Sequence, residues 1–160
     1  MKITFTFLAL VLLLSCLSKV EKNTSTVTAS PSKAQQIADL KANGFEIFDY
    51  YDNDIQDTVI MQKYFLAFLN TGPNRSQDEE EATKIQRGHR THLGRMYKLG
   101  YADISGPLED SLGITQGITI YNVPNLATAD SLVRLDPAVQ SGKLVVDIKP
   151  LWAGKGFALR

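Results

Sequence analysis

The sequence predicts an α+β protein of ferredoxin-like type, a βαββαβ unit preceded by an extra helix and a β-hairpin. Three observations carry this prediction. Thr58 to Leu69 is a strong strand whose second half, Tyr64 to Leu69, is apolar on both faces, as in a sheet covered on both sides. Ser76 to Leu99 is an amphipathic helix, and a short strand follows it. The remaining elements then complete the order strand, helix, strand, strand, helix, strand.

Taken along the chain, Pro31 to Asn43 has helical character through Ala34, Ile37, Ala38 and Leu40, and Gly44 ends it. Phe45 to Tyr51 reads as a strand, with Asp52, Asn53 and Asp54 as the turn into Thr58 to Leu69. Thr71-Gly72-Pro73-Asn74 turns the chain into the long helix. Ser76 is the expected cap there, with Glu79 as its capping-box partner and Asp78 to Glu81 complementing the helix dipole. Gly100 is placed to stop the helix. Tyr101 to Ser105 is a short strand, Leu108 to Gly113 a loop, and Ile114 to Val123 another strand. Asn125 caps a helix from Leu126 to Leu135, which the Asp136-Pro137 step ends. Lys143 to Lys149 is the last strand, closed by Pro150. Ile118 and Ile120 are expected to face the helices together with Leu144, Val146 and Ile148. The other sheet face then carries Thr119, Tyr121, Val145, Asp147 and Lys149, a mixed surface that suits self-association.

The N-terminus has a different character. Met1 and Lys2 precede an apolar run, Ile3 to Leu14, that is short for a membrane span and suits a secretory signal. It ends Leu13-Leu14-Ser15-Cys16, which resembles a bacterial lipoprotein signal with Cys16 as the lipid acceptor. An ordinary signal peptide containing a cysteine is the alternative. The expected organisation is a signal peptide at 1–15 and a lipidated N-terminus with a Ser/Thr/Lys-rich tether at 16–33. A helix and hairpin extension at 34–59 follows, and then the main domain at 60–156. Such a chain belongs in the cell envelope, lipid-anchored to a membrane.

The 160 residues carry 17 basic and 17 acidic side chains, and that balance argues against a nucleic-acid partner. One cysteine excludes an intramolecular disulfide framework and any Cys-clustered zinc site. A transition-metal site from His89, His92 and carboxylates is the remaining metal reading, and the expectation is that none exists. There is no phosphate-cradling glycine loop, no GxSxG elbow and no free catalytic cysteine, so no cofactor is implied.

Each residue turns a helix by about 100°, which puts His89 within roughly 10° of the centre of the apolar stripe formed by Ala82, Ile85, Leu93, Met96 and Leu99. His92 lies roughly 50° away, at the edge of that stripe, and reads as partly solvated. A histidine in the stripe is either a core residue with hydrogen-bonded nitrogens or a proton carrier.

Four pieces of the chain, in order, are TGPNR (71 to 75), IQRGH (85 to 89), SGP (105 to 107) and LDPAVQSGKL (135 to 144), with Trp152 near the C-terminus. From about Gln62 to Gly156 the sequence resembles the YciI-like family (YCII-related domain) of the dimeric α/β-barrel superfamily. The resemblance implies a ferredoxin-like subunit that forms a homodimer through its sheets. It also implies a catalytic pair, a histidine in the first helix with an aspartate, here His89 and Asp136. Family members with a suggested activity act on small organic acids or halogenated ring-cleavage products. The leader and the hairpin from Phe45 to Val59 lie outside the family pattern.

Asp136 also has a simple structural role available, capping the turn from Pro137 to Gln140. Tyr101, Asp103 and Ser105 alternate on one strand and are candidate pocket residues, or interfacial ones. Two functions follow. One is a cofactor-independent lyase, isomerase or hydrolase of a small acid, with His89 as proton carrier. The other is a non-catalytic lipoprotein that binds a small ligand or a partner protein on the same scaffold.

Overall fold

A computed structural model describes residues 30–157 and Leu159. The expected signal segment, Cys16 and most of the tether lie outside the described residues. Helix α1 (Lys33–Ala42) and strand β1 (Ile47–Asp52) precede the main unit. That unit runs β2 (Asp57–Thr71), α2 (Glu79–Lys98), β3 (Ala102–Pro107), β4 (Thr115–Tyr121), α3 (Leu126–Val133), α4 (Pro137–Gln140) and β5 (Leu144–Gly154). The sheet is antiparallel, with β2 between β4 and β5 and with β3 beyond β4, which is the ferredoxin-like order. Met61 and Gln62 pair with both β1 and β5, so β1 takes up the same edge of β2 that β4 uses further along.

The core lies between the sheet and α2, α3 and α4. Alternate residues Phe65, Ala67 and Leu69 of β2 meet Met96 of α2 and Ala129 and Val133 of α3, with Leu144, Val146 and Ile148 of β5 packed alongside. On β4 the expected faces are exchanged. Tyr121 and Thr119 are each fully buried and pair with Phe65 and Ala67, on the helix side. Ile118 and Ile120 pair with Phe68 and Leu66 and sit half-buried on the sheet face that the helices leave open. Tyr121 has a large apolar ring, so burying it outweighs burying the smaller Ile120 just before it.

Three further details differ from expectation. Helix α2 is capped by Asp78, whose carboxylate accepts the Glu81 N–H at 2.8 Å; Ser76 instead donates its hydroxyl to Asn74. Asp78 directly precedes three glutamates, so cap and dipole favour starting there. Strand β5 continues through Pro150 to Gly154. Proline is tolerated because β5 pairs only with β2 and its missing N–H faces away from the sheet. In α2 it is His92, not His89, that is sealed in: His92 is 8% exposed, while Leu99 at the helix end is exposed.

Two glycines set how closely elements approach. At Gly72 a Cβ would collide with the Gly142 carbonyl oxygen. The close approach lets Gly72 N–H donate to Lys143 O at 2.9 Å and Asn74 N–H to Gly142 O at 3.1 Å. The Asn74 side-chain amide adds a bond to Ser141 O at 2.9 Å. The segment after β2 is thereby latched to the turn before β5. At Gly88 a Cβ would stand 2.9 Å from Pro137 Cγ, so α2 and α4 pack through a position where only hydrogen fits.

Gly88→Ala should therefore lower stability by about 1–3 kcal/mol, the usual cost of overpacking, measurable by urea denaturation. An unchanged midpoint would mean that α4 yields freely. A second expectation concerns pH. Burial lowers the His92 pKa below its ordinary value; Asp136 opposes the shift, while His89 and Arg95 add to it. A histidine whose folded-state pKa is depressed contributes fully above its unfolded value near 6.5 and loses that contribution as pH falls through the folded value. Melting temperature should fall below about pH 6.5 in the wild type, and less steeply in His92→Gln. Equal slopes would contradict this.

Candidate active site

The Asp-Pro step places the site's carboxylate. Pro137 occupies the first turn of α4, and Asp136 is its cap, with Oδ1 accepting the Ala138 N–H at 2.9 Å. The other oxygen, Oδ2, lies 2.7 Å from His89 Nδ1. Asp136 is 1% exposed at its side chain and His89 13%, so the carboxylate is sealed behind an imidazole that reaches open space. An ionised carboxylate only accepts, which fixes the donor as Nδ1–H and leaves Nε2 as the nitrogen with a free lone pair. Gly88, one residue before His89, and Pro137, one after Asp136, form the close helix contact that brings the two together.

His89 lines a cleft of about 390 Å³ between α2 and the sheet. Leu69, Leu93 and Leu144 give it an apolar floor, and Gly106 and Pro107 of β3 form part of its wall. Arg75, Arg90 and Lys143 also line it, and among the described residues no carboxylate does. The amides of Gln86 and Gln116 complete its polar side. Arg75 and Lys143 reach the same cleft because the latch through Gly72 and Asn74 ties their segments together. Arg75 and Arg90 are exposed and Lys143 is half-buried, so the three cations around this open cleft attract an anion through a field that salt screens.

The structure brings His89 and Asp136 into direct contact. It does not bring Tyr101, Asp103 or Ser105 to the cleft that His89 lines. Tyr101 is exposed, and its carbonyl accepts the Asn122 N–H. Asp103 accepts from the Asn122 side chain at 3.2 Å and lines a different cleft, of 550 Å³, with Tyr64, Ile104 and Ile120. Burial, and then the Asp103 charge, push the Tyr64 hydroxyl up to about 12. Ser105 bonds the Thr119 hydroxyl at 3.1 Å. Among the described residues no three His, Cys, Asp or Glu side chains come together to hold a metal, so His89 and His92 share no metal cluster there.

The basic lining was missed in the sequence. Its signal was nonetheless there: Arg75 ends the TGPNR motif and Lys143 lies in LDPAVQSGKL, so both belong to segments already set apart by their pattern.

Several solved structures are similar to the chain. One is 5-chloro-2-hydroxyhydroquinone dehydrochlorinase (TftG) from Burkholderia phenoliruptrix AC1100 in complex with 2,5-dihydroxybenzoquinone, at 16% identity and a TM-score of 0.41, covering 54% of this chain and 90% of that one. Another is the methylated RPA0582 protein, at 14% identity and a TM-score of 0.32, covering 78% of this chain and 92% of that one. No curated protein matches the chain. A family model does match residues 64–152, more than half of the sequence, and this chain belongs to the YCII-related domain family.

Proposed function

We propose that the protein is a cofactor-independent enzyme, a lyase, isomerase or hydrolase, acting on a small organic acid. The observation that carries this reading is a His–Asp contact at the wall of a cleft whose charged lining is wholly basic. Asp136 holds Nδ1–H, so His89 Nε2 is the base that takes a proton from the substrate or from water and later returns it. Asp136 also offsets the charge on the imidazolium that forms, as in other His–carboxylate pairs. Arg75, Arg90 and Lys143 hold the acid group and offset negative charge that develops in the transition state. A cleft of 390 Å³ suits a small molecule rather than a polymer.

The test has two readouts. Screening short unsaturated and hydroxylated carboxylic acids, with the matching amides as controls, should find ligands that require the charge. Arg75→Ala and Arg90→Ala should each weaken their binding about 10- to 100-fold, the worth of a charged hydrogen bond. For any acid that is converted, His89→Ala should lower turnover by about 10²–10⁴ with binding little changed. Acids that bind the arginine variants as well as wild type would overturn the proposal. Binding that needs the arginines, with no conversion of any acid, would favour the non-catalytic ligand-binding lipoprotein.

Assembly and location complete the reading. Leu66, Phe68, Ile104, Ile118 and Ile120 make a half-buried apolar band on the helix-free sheet face, and we assign this band to a homodimer contact. Covering apolar area is worth roughly 25 cal/mol per Å² before association costs. Cys16 is the proposed lipid attachment point that anchors the protein in the cell envelope. The chain from Ala34 onward should scatter light as a dimer at micromolar concentration, and Phe68→Glu should make it a monomer. Mass spectrometry of the full chain from its host should find lipid on Cys16. A wild-type monomer, or an unmodified Cys16, would remove the corresponding part of the proposal.

A further inference from the structure

Tyr121 is fully buried, and its hydroxyl has no hydrogen-bond partner among the described residues. A phenylalanine would bury the same ring without the cost of a stranded hydroxyl, so the oxygen needs a reason to be there. The Nε2 atom of His92 is in the same condition: buried, and without a partner among the described residues. With Gln62 Oε1 they are the three buried side-chain atoms without a partner among the described residues, and such atoms are uncommon because buried polar groups are normally satisfied by protein or by internal water.

His92 borders one cleft with Leu135 and Pro137, the two chain neighbours of Asp136. His92 sits one turn beyond His89 on α2 and so projects from the same side of that helix. Tyr121 packs in one cluster with Met96, one turn beyond His92, and with Val133, three residues before Asp136. The charge of Asp136 acts on both groups: after burial, it pushes the Tyr121 phenol up, and it partly opposes the lowering of His92. Asp136 has capacity to spare. A carboxylate offers about four acceptor sites, and here one N–H from Ala138 and one from His89 use two of them.

We infer that Tyr121 and His92 are positioning residues for the His89–Asp136 pair, their buried polar ends closing with the Asp136 carboxylate on one internal water. Three polar partners are what such a water requires. Held this way, the Asp136 carboxylate is fixed in place on the side away from the cleft, and its Oδ2 is aimed at His89 Nδ1–H. The inference rests on the proposed role of that pair, but its test reads hydrogen bonding and not turnover, so the two can fail separately.

The experiment compares wild type with Tyr121→Phe, which preserves volume, and with His92→Gln, which keeps a polar end at the same place. In wild type the His89 Nδ1–H proton should give a far-downfield, slowly exchanging NMR signal. Tyr121→Phe should speed its exchange about tenfold or more and lower the folding equilibrium constant about tenfold, the loss expected for one buried hydrogen bond. His92→Gln should retain most of the protection, whereas His92→Leu should not. A crystal structure should show the water within hydrogen-bond distance of Tyr121 Oη and Asp136. Tyr121→Phe equal to or more stable than wild type with the His89 signal unchanged would overturn the inference, as would density without that water. Loss of the signal in Asp136→Asn alone, with both other positions silent, would leave the pair standing and remove Tyr121 and His92 from it.

Discussion

The arrangement of this protein depends on one buried carboxylate. Asp136 is 1% exposed, and an isolated charge at that depth would be costly enough to expel. It is tolerated because each of its oxygens already accepts a hydrogen bond, one from the first turn of α4 and one from His89. The same residue therefore starts a helix and orients an imidazole. Its neighbours serve that double duty. Pro137 presets the helix start, and Gly88 lets α2 come close enough for the imidazole to reach. Removing either bond would leave part of a buried charge uncompensated, which is why such contacts are costly to break even where their net worth is small.

The sequence made some of this readable and hid the rest for physical reasons. Helix α2, its end at Gly100 and the order of the main elements follow from local period and local breakers, which need no partner to be seen. The face of β4 was not readable in the same way. Its alternation puts Thr119 and Tyr121 against Ile118 and Ile120, and a shift of one residue exchanges the two sets. Only the pairing with Phe65 and Ala67 decides between them. The two histidines of α2 show the same limit. A wheel averages the apolar residues of one helix, whereas α2 packs at once against the sheet and against α4 through Gly88, so the buried direction is turned toward His92.

The charge of the site was hidden by its distribution. The chain is neutral overall, which bears on solubility and on polyanion partners but says nothing of a local field. Arg75 and Lys143 are far apart in the chain and meet because two backbone hydrogen bonds and one amide join the loop after β2 to the turn before β5, while Arg90 reaches the same cleft from α2. Gly72 makes that join possible, so a residue without a side chain has as much to do with the cleft's polarity as the cations themselves. The sheet separates two kinds of surface: a charged cleft on the helix side and an apolar band on the other.

The two bonds of Asp136 also differ in how far the chain must travel to make them. The Ala138 N–H is two residues away, whereas His89 is 47 residues away. Closing a short turn costs little chain entropy and takes well under a microsecond, while the long contact must wait for α2 to dock. The carboxylate can thus be oriented by its own turn before the imidazole arrives. Seen as a folding event, the site has a local half that forms early and a distant half that completes it, so a fluctuation that lifts α2 away would leave a preformed socket to which the histidine can return.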